Sequence, residues 1–226
     1  MSRVLTAFCA DDGRPVAALE AELRPHEQVQ AQAHAGRRRR HFILGRLAAH
    51  SAIHQLGVGA TELWIAADTV GAPAVAGSDA GVAISIAHSG LLAIACAWAT
   101  QAGRGRRIGI DVERLRPTDI ASSRYAFSPR ERQLVRATDV DGSCAGLLAW
   151  VAKEAAWKAI RFSADVGPDA LEVRGFDPDG LTATVIERRR REGEHDARKT
   201  FLVRLRVLAG PDGEYVVALA RERTGR

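Results

Sequence analysis

Two short segments carry residues able to hold a divalent metal ion against a phosphate and take up a proton beside it. Asp111 and Glu113 lie in Gly109-Ile110-Asp111-Val112-Glu113. Lys153, Glu154 and Lys158 lie in Trp150-Val151-Ala152-Lys153-Glu154-Ala155-Ala156-Trp157-Lys158. Side chains alternate along a strand, so Gly109, Asp111 and Glu113 share one face and Ile108, Ile110 and Val112 the other. Carboxylates roughly 7 Å apart along a strand can ligate one hard cation, directly or through water. Gly109 on that face is expected to leave room for a ligand. The plainer alternative is the solvated face of an edge strand, its acids paired with Arg114 or Arg116.

Trp150, Lys153, Glu154, Trp157, Lys158 and Arg161 fall on one stripe of a helix. An exposed Glu154–Lys158 pair of i,i+4 type would add only ~0.3–0.5 kcal/mol. The two tryptophans on the same stripe argue for a face turned toward a core or cleft, where charges need partners. Upstream, Ala87-His88-Ser89-Gly90 is predicted as a turn between two apolar strands. His88 there could donate to a phosphate with the hydroxyl of Ser89 assisting, or simply bond a nearby carbonyl. Arg38 and Arg46, about two helical turns apart, could grip a phosphate from one face.

These residues need elements to position them. A helix is predicted from about 36 to 56, with Gly57 in the C′ position, and a second from about 144 to 161. Ser128-Pro129-Arg130-Glu131 has the form of a capping box with proline at the first helical position. Strands are predicted at 62–65, 82–86, 91–99, 108–113, 171–173, 182–187, 201–208 and 215–220. Gly71 to Gly81 reads as a connection, and the glycine-rich 101–106 as a boundary. Each half is thus a long helix followed by strands, an α+β pseudo-dimer of two similar halves, residues 1–103 and 104–226, with no repeat visible residue by residue.

The 226 residues are 46% hydrophobic and 26% charged, which is globular composition. No apolar run reaches the roughly 18 residues of a membrane span. The three cysteines, Cys9, Cys96 and Cys144, form neither a metal spacing nor an even disulfide set, which suits a reducing cytoplasm. The net charge of +5 favours anionic partners: nucleic acid, phosphorylated small molecules or an acidic protein. The run Arg188–Arg191 is read as solvated in a hairpin end or loop, whereas Arg37–Arg40 leads into the first helix.

The order of these motifs resembles the Sfp-type 4′-phosphopantetheinyl transferases, in particular the branch with enterobactin-type and actinobacterial members. That family carries G-[IV]-D-x-E followed by W-x-x-K-E-x-x-x-K, and both are intact here. Ser85 to Ser89 is similar to its S-x-[ST]-H-[SC] turn, with Ala87 in place of a hydroxyl residue. Arg38 to Arg46 approximates R-R-x-x-F-x-x-x-R. The resemblance covers about residues 36–162.

The resemblance implies transfer of phosphopantetheine from coenzyme A to a serine of an apo acyl or peptidyl carrier protein, releasing 3′,5′-ADP. It implies Mg²⁺ on Asp111, Glu113 and Glu154, with Glu154 as base and Lys158 on the phosphate under attack. Lys153 would support the pyrophosphate or the base. Arg38, Arg46, His88 and Ser89 would hold the 3′-phosphate end, on the N-terminal half. A monomer without nucleic-acid or membrane partners is implied as well. One departure is Gly71-Ala72-Pro73, where members often carry lysine or glutamate before the proline; the run from Arg37 is a possible substitute. The other readings are a metal-dependent nuclease, opposed by Lys153-Glu154 lying on a helix, and a degenerate fold that only docks a carrier or binds coenzyme A.

Overall fold

A computed structural model describes residues 3–57, 63–77, 81–100, 107–118, 120, 123–138, 144–160, 167–177, 179–188 and 199–223. The chain divides into two compact units, 1–105 with 210–212, and 106–209 with 213–226. Both mix helices with antiparallel sheet, as the α+β reading expects. The boundary segment 101–106, Arg161 and Arg189–Arg191 lie outside the described residues.

The first unit opens with strand β1 (Val4–Ala10) and helices α1 (Val16–Glu20), α2 (Pro25–Gln32) and α3 (Gly36–Gln55). Strands β2 (Trp64–Ala67), β3 (Pro73–Ala76), β4 (Val82–Ser89) and β5 (Leu92–Ala99) follow. The order β1-β5-β4 makes one sheet and β2-β3 a ribbon. Strand β5 is central, and seven of its eight residues are buried, so it lacks the alternation of a half-exposed strand. Ala48, Ala49, Ala52 and Ile53 of α3 pack with Ile84, Ala95 and Ala97 of the sheet. Helix α3 stops at Gly57, whose φ of 74° suits a residue without Cβ.

Four elements depart from the sequence expectations. β1, α1 and α2 were not predicted; all three are short, with little periodicity of their own. The stretch read as a connection contains β3, which pairs with β2 over Trp64–Ala67 and Pro73–Ala76.

The second unit holds β6 (Ile108–Arg114), α4 (Pro129–Thr138), α5 (Ala145–Ile160), β7 (Leu171–Asp177), β8 (Thr182–Glu187), β9 (Thr200–Gly210) and β10 (Gly213–Glu222). They form one sheet in the order β6-β10-β9-β8-β7. Six of the sixteen residues of α5 are alanine, the strongest helix former and small enough for close packing. Its Val151, Ala152, Ala155 and Ala159 share a core with Val173, Val185, Phe201, Val203 and Val216 of the sheet.

Candidate active site

Side chains of the carboxylate strand β6 alternate in facing as expected, but both faces are buried from Ile108 to Val112. Its register against β10 sets Gly109, Asp111 and Glu113 opposite Ala220, Ala218 and Val216. That face meets helix α5. The space beside Gly109 is filled by helix backbone, which corrects the expectation of room for a ligand. A Cβ built there would stand 2.1 Å from the Ala155 carbonyl oxygen and 2.5 Å from the Ala159 nitrogen. Gly109 therefore lets the helix approach the strand closely enough for side chains of the two to meet.

They meet at Asp111. Lys158 Nζ donates to Asp111 Oδ1 at 2.6 Å. Asp111 is only 5% exposed, and burial raises its carboxyl above the ordinary value against the pull of the Lys158 charge. Glu154, one turn before Lys158 on α5, is half-buried. Burial first, and then the negative charges of Asp111 and Glu113, push its carboxyl up to about 7, with Lys158 opposing. Asp111, Glu154 and Lys158 are thus one electrostatic cluster with Glu113 at its margin.

Lys153 makes its direct bonds elsewhere, although its charge still acts on Glu154. Its Nζ is buried and donates to Glu131 Oε1 and Oε2 at 2.9 and 3.1 Å and to the Ala126 carbonyl at 2.7 Å. Burial lowers its pKa and the Glu131 charge resists that shift. The stripe predicted on α5 therefore loses one member: Trp150, Glu154, Trp157 and Lys158 are half-buried, while Lys153 turns inward. The physical reason is Glu131, a buried carboxylate 22 residues upstream that needs a cation. Glu131 also completes the predicted capping box: the Ser128 N–H donates to it at 2.7 Å, and its own N–H donates to Ser128 Oγ at 3.2 Å.

Three carboxylates supply hard oxygen donors of the kind that suits Mg²⁺. Among the described residues no group of three His, Cys, Asp or Glu side chains is drawn together as a ready ligand set. The like charges that raise Glu154 are what a divalent cation would relieve, so the donor chemistry fits such an ion.

The first unit carries a cavity of about 270 Å³ lined by residues of α3, among them Arg38, His41, Phe42 and Arg46, and by His34 and His88. Arg46 lies over the Phe42 ring at 4.3 Å from its centroid. Its Nε is buried with no hydrogen-bond partner among the described residues. Burial lowers the Arg46 pKa, with the charge of Glu27 opposing. Such an arginine suits an anion that would supply the missing acceptor.

His88 sits at the end of strand β4, not in a turn, because β4 pairs with β5 as far as Ser89 opposite Leu92. The turn is Gly90-Leu91, and Gly90 adopts φ 55°. Ser89 is not among the residues lining the cavity. His41, which sequence reasoning missed, stacks on His88 with centroids 4.4 Å apart and donates from Nε2 to the Gly90 carbonyl at 2.9 Å. Its signal was available: 38, 41, 42, 45 and 46 form one helical stripe. Arg39 and Arg40 are committed elsewhere, to Glu20 and Asp11. Of the arginine run, Arg37 and Arg38 are the exposed members.

The model of the ACPS family, described as the 4′-phosphopantetheinyl transferase superfamily, matches residues 107–220, half of the chain. The chain belongs to that superfamily. The matched stretch holds both the carboxylate strand and the Glu154–Lys158 helix, and the superfamily's activity in general is phosphopantetheinyl transfer. No curated protein matches the chain. Among the transferase's described residues, no helix is long and apolar enough to cross a membrane.

Proposed function

We propose that this chain is an Sfp-type transferase that moves 4′-phosphopantetheine from coenzyme A to a serine hydroxyl of an apo acyl or peptidyl carrier protein. The observation that carries this reading is the meeting of Asp111, Glu154 and Lys158 inside the stretch that matches the superfamily.

In this reading the serine oxygen attacks the phosphorus attached to pantetheine. The new P–O bond forms as the bond to the leaving phosphate breaks, and 3′,5′-ADP departs. Glu154 takes the serine proton. Burial and the charges of Asp111 and Glu113 raise this carboxyl before any cation is bound, and a bound cation would hold it ionised and ready to accept the proton. Lys158, held at the reacting centre by Asp111, binds the phosphate under attack and stabilises charge developing there. Asp111, Glu113 and Glu154 would hold Mg²⁺, which when bound neutralises pyrophosphate charge. Lys153 acts at one remove, anchoring α5 through Glu131 rather than touching substrate.

The first unit's cavity takes the 3′-phosphate end of coenzyme A, with Arg38 and Arg46 as its cations and the stacked His41 and His88 beside them. Residues 1–103 would thus serve binding and 104–226 chemistry. The three cysteines, none of them disulfide-bonded, suit a reducing cytoplasm, and the enzyme would act there as a monomer.

Intact-mass analysis of an apo carrier protein incubated with the chain, coenzyme A and Mg²⁺ tests the reading. A gain of one phosphopantetheine, absent with EDTA and absent with Glu154→Ala, is expected. No gain across fatty-acid, polyketide and peptide-synthetase carriers, despite coenzyme A binding, would leave only the docking role.

A further inference from the structure

A buried glutamate stands near the start of the short helix that precedes the long one in each unit. In the second unit it is Glu131, at the third position of α4 after Ser128-Pro129-Arg130. It accepts the Ser128 N–H at 2.7 Å, Lys153 Nζ of α5 at 2.9 Å and the Val173 N–H of β7 at 2.8 Å. In the first unit it is Glu27, at the third position of α2 after Arg24-Pro25-His26. It accepts the Arg24 N–H at 3.2 Å, His50 Nε2 of α3 at 2.8 Å and the Ile65 N–H of β2 at 2.8 Å. Both glutamates are 0% exposed. Glutamate and helix partner are 23 residues apart in one unit and 22 in the other. The same three attachments recur: the glutamate's own helix start, the following long helix, and the first strand beyond it.

We propose that Glu27 and His50 are positioning residues for the anion cavity of α3, the counterparts of Glu131 and Lys153. The naming of that cavity's ligand rests on the coenzyme A reading; the bracket itself does not. In the second unit the anchored residue, Lys153, is the immediate neighbour of Glu154. In the first, His50 lies one helical turn beyond Arg46. A partly buried guanidinium needs negative charge nearby, and the Glu27 carboxylate acts on Arg46 in the direction that keeps it protonated. His50 has no second anchor, since its Nδ1 is buried without a hydrogen-bond partner among the described residues. Its ring orientation therefore depends on the bond to Glu27, which also links α3 to α2 and, through the Ile65 N–H, to β2.

The two long helices use different side chains for the same job. A lysine and a histidine both donate from a long-helix side chain to a buried carboxylate. A lysine at position 50 should therefore restore what an alanine removes.

The test uses the full chain with 3′,5′-ADP as the probe, in wild type, His50→Ala and His50→Lys. Calorimetry reads affinity, and hydrogen exchange reads the amides of α3 and α5. His50→Ala is expected to weaken 3′,5′-ADP by about tenfold, the scale of one lost buried hydrogen bond, and to speed exchange in α3 but not in α5. His50→Lys is expected to recover both. If His50→Ala does not fold, by far-UV circular dichroism, the milder His50→Gln takes its place with the same expected pattern. Unchanged exchange in α3 together with unchanged affinity overturns the proposal, as does a His50→Lys variant no better than alanine. If the wild type binds no 3′,5′-ADP but the exchange pattern holds, the coenzyme A reading fails and the bracket stands.

Discussion

Glu154 is half-buried, lies beside Asp111 and Glu113, and has its carboxyl pushed up to about 7. Replacing it with glutamine removes the proposed proton acceptor while keeping size and polarity. Glu154→Gln should lower transfer by roughly 10²–10⁴-fold, the usual contribution of a positioned acid–base group, with the thermal midpoint essentially unchanged. A midpoint that falls in step with activity would make the residue structural. His88 is exposed at a strand end and stacks on His41. His88→Ala should weaken coenzyme A by about tenfold, on the scale of one charge-assisted hydrogen bond, and 3′-dephospho-coenzyme A much less. Equal losses for the two ligands, measured by calorimetry, would remove His88 from the 3′-phosphate.

At the scale of elements, the approach of α5 to β6 decides the site. It depends on Gly109, because any side chain there meets the backbone of Ala155 and Ala159. Backbone of a helix cannot swing aside as a flexible side-chain tip can. Gly109→Ala should therefore force the two elements apart and cost at least the ~1–3 kcal/mol of an overpacked core. Urea denaturation should show a lower midpoint with unchanged slope. Turnover should fall too, since Lys158 and Asp111 sit on opposite sides of that contact. Wild-type stability in the alanine variant would mean the contact is looser than described. The strand alternation and the helix were both readable beforehand; their near-contact was not, because nothing in a glycine's local sequence says which helix will cover it.

At the scale of the whole molecule, the two buried brackets tie helices to strands far apart in the chain, and one of them bears on acid stability. Burial by itself would raise the Glu27 carboxyl. His50 and the N–H groups of Ile65 and Arg24 outweigh that and hold it below its ordinary value of 4.5. The folded state therefore gives up the proton more readily than the unfolded one. The pair's contribution to stability is complete above 4.5 and is lost as pH falls through the folded-state value. The Arg46 charge is coupled to Glu27 as well. Glu27→Gln should be less stable than wild type near neutral pH, and the gap should narrow as the pH falls below 4.5, read as denaturant midpoints across pH. A gap that stays constant over that range would mean Glu27 does not titrate with unfolding.

Much of this protein is legible in its sequence because much of it is local. The spans of α3 and α5, the alternation on β6 and the Ser128–Glu131 capping box all follow from repeats of two to four residues. The charged motifs carried the family resemblance without any fold. The sequence could not say that Lys153 turns inward while its neighbour Glu154 stays at the site, since that choice is made by a carboxylate 22 residues away. Nor could it reveal that Ser128-Pro129-Arg130-Glu131 and Arg24-Pro25-His26-Glu27 do the same work. The two share only a Pro-x-Glu, and what makes them equivalent is the set of partners each glutamate finds. Periodicity fixes which face a side chain occupies. Only packing fixes what that face meets, and a buried charge takes whichever partner the packing brings within reach.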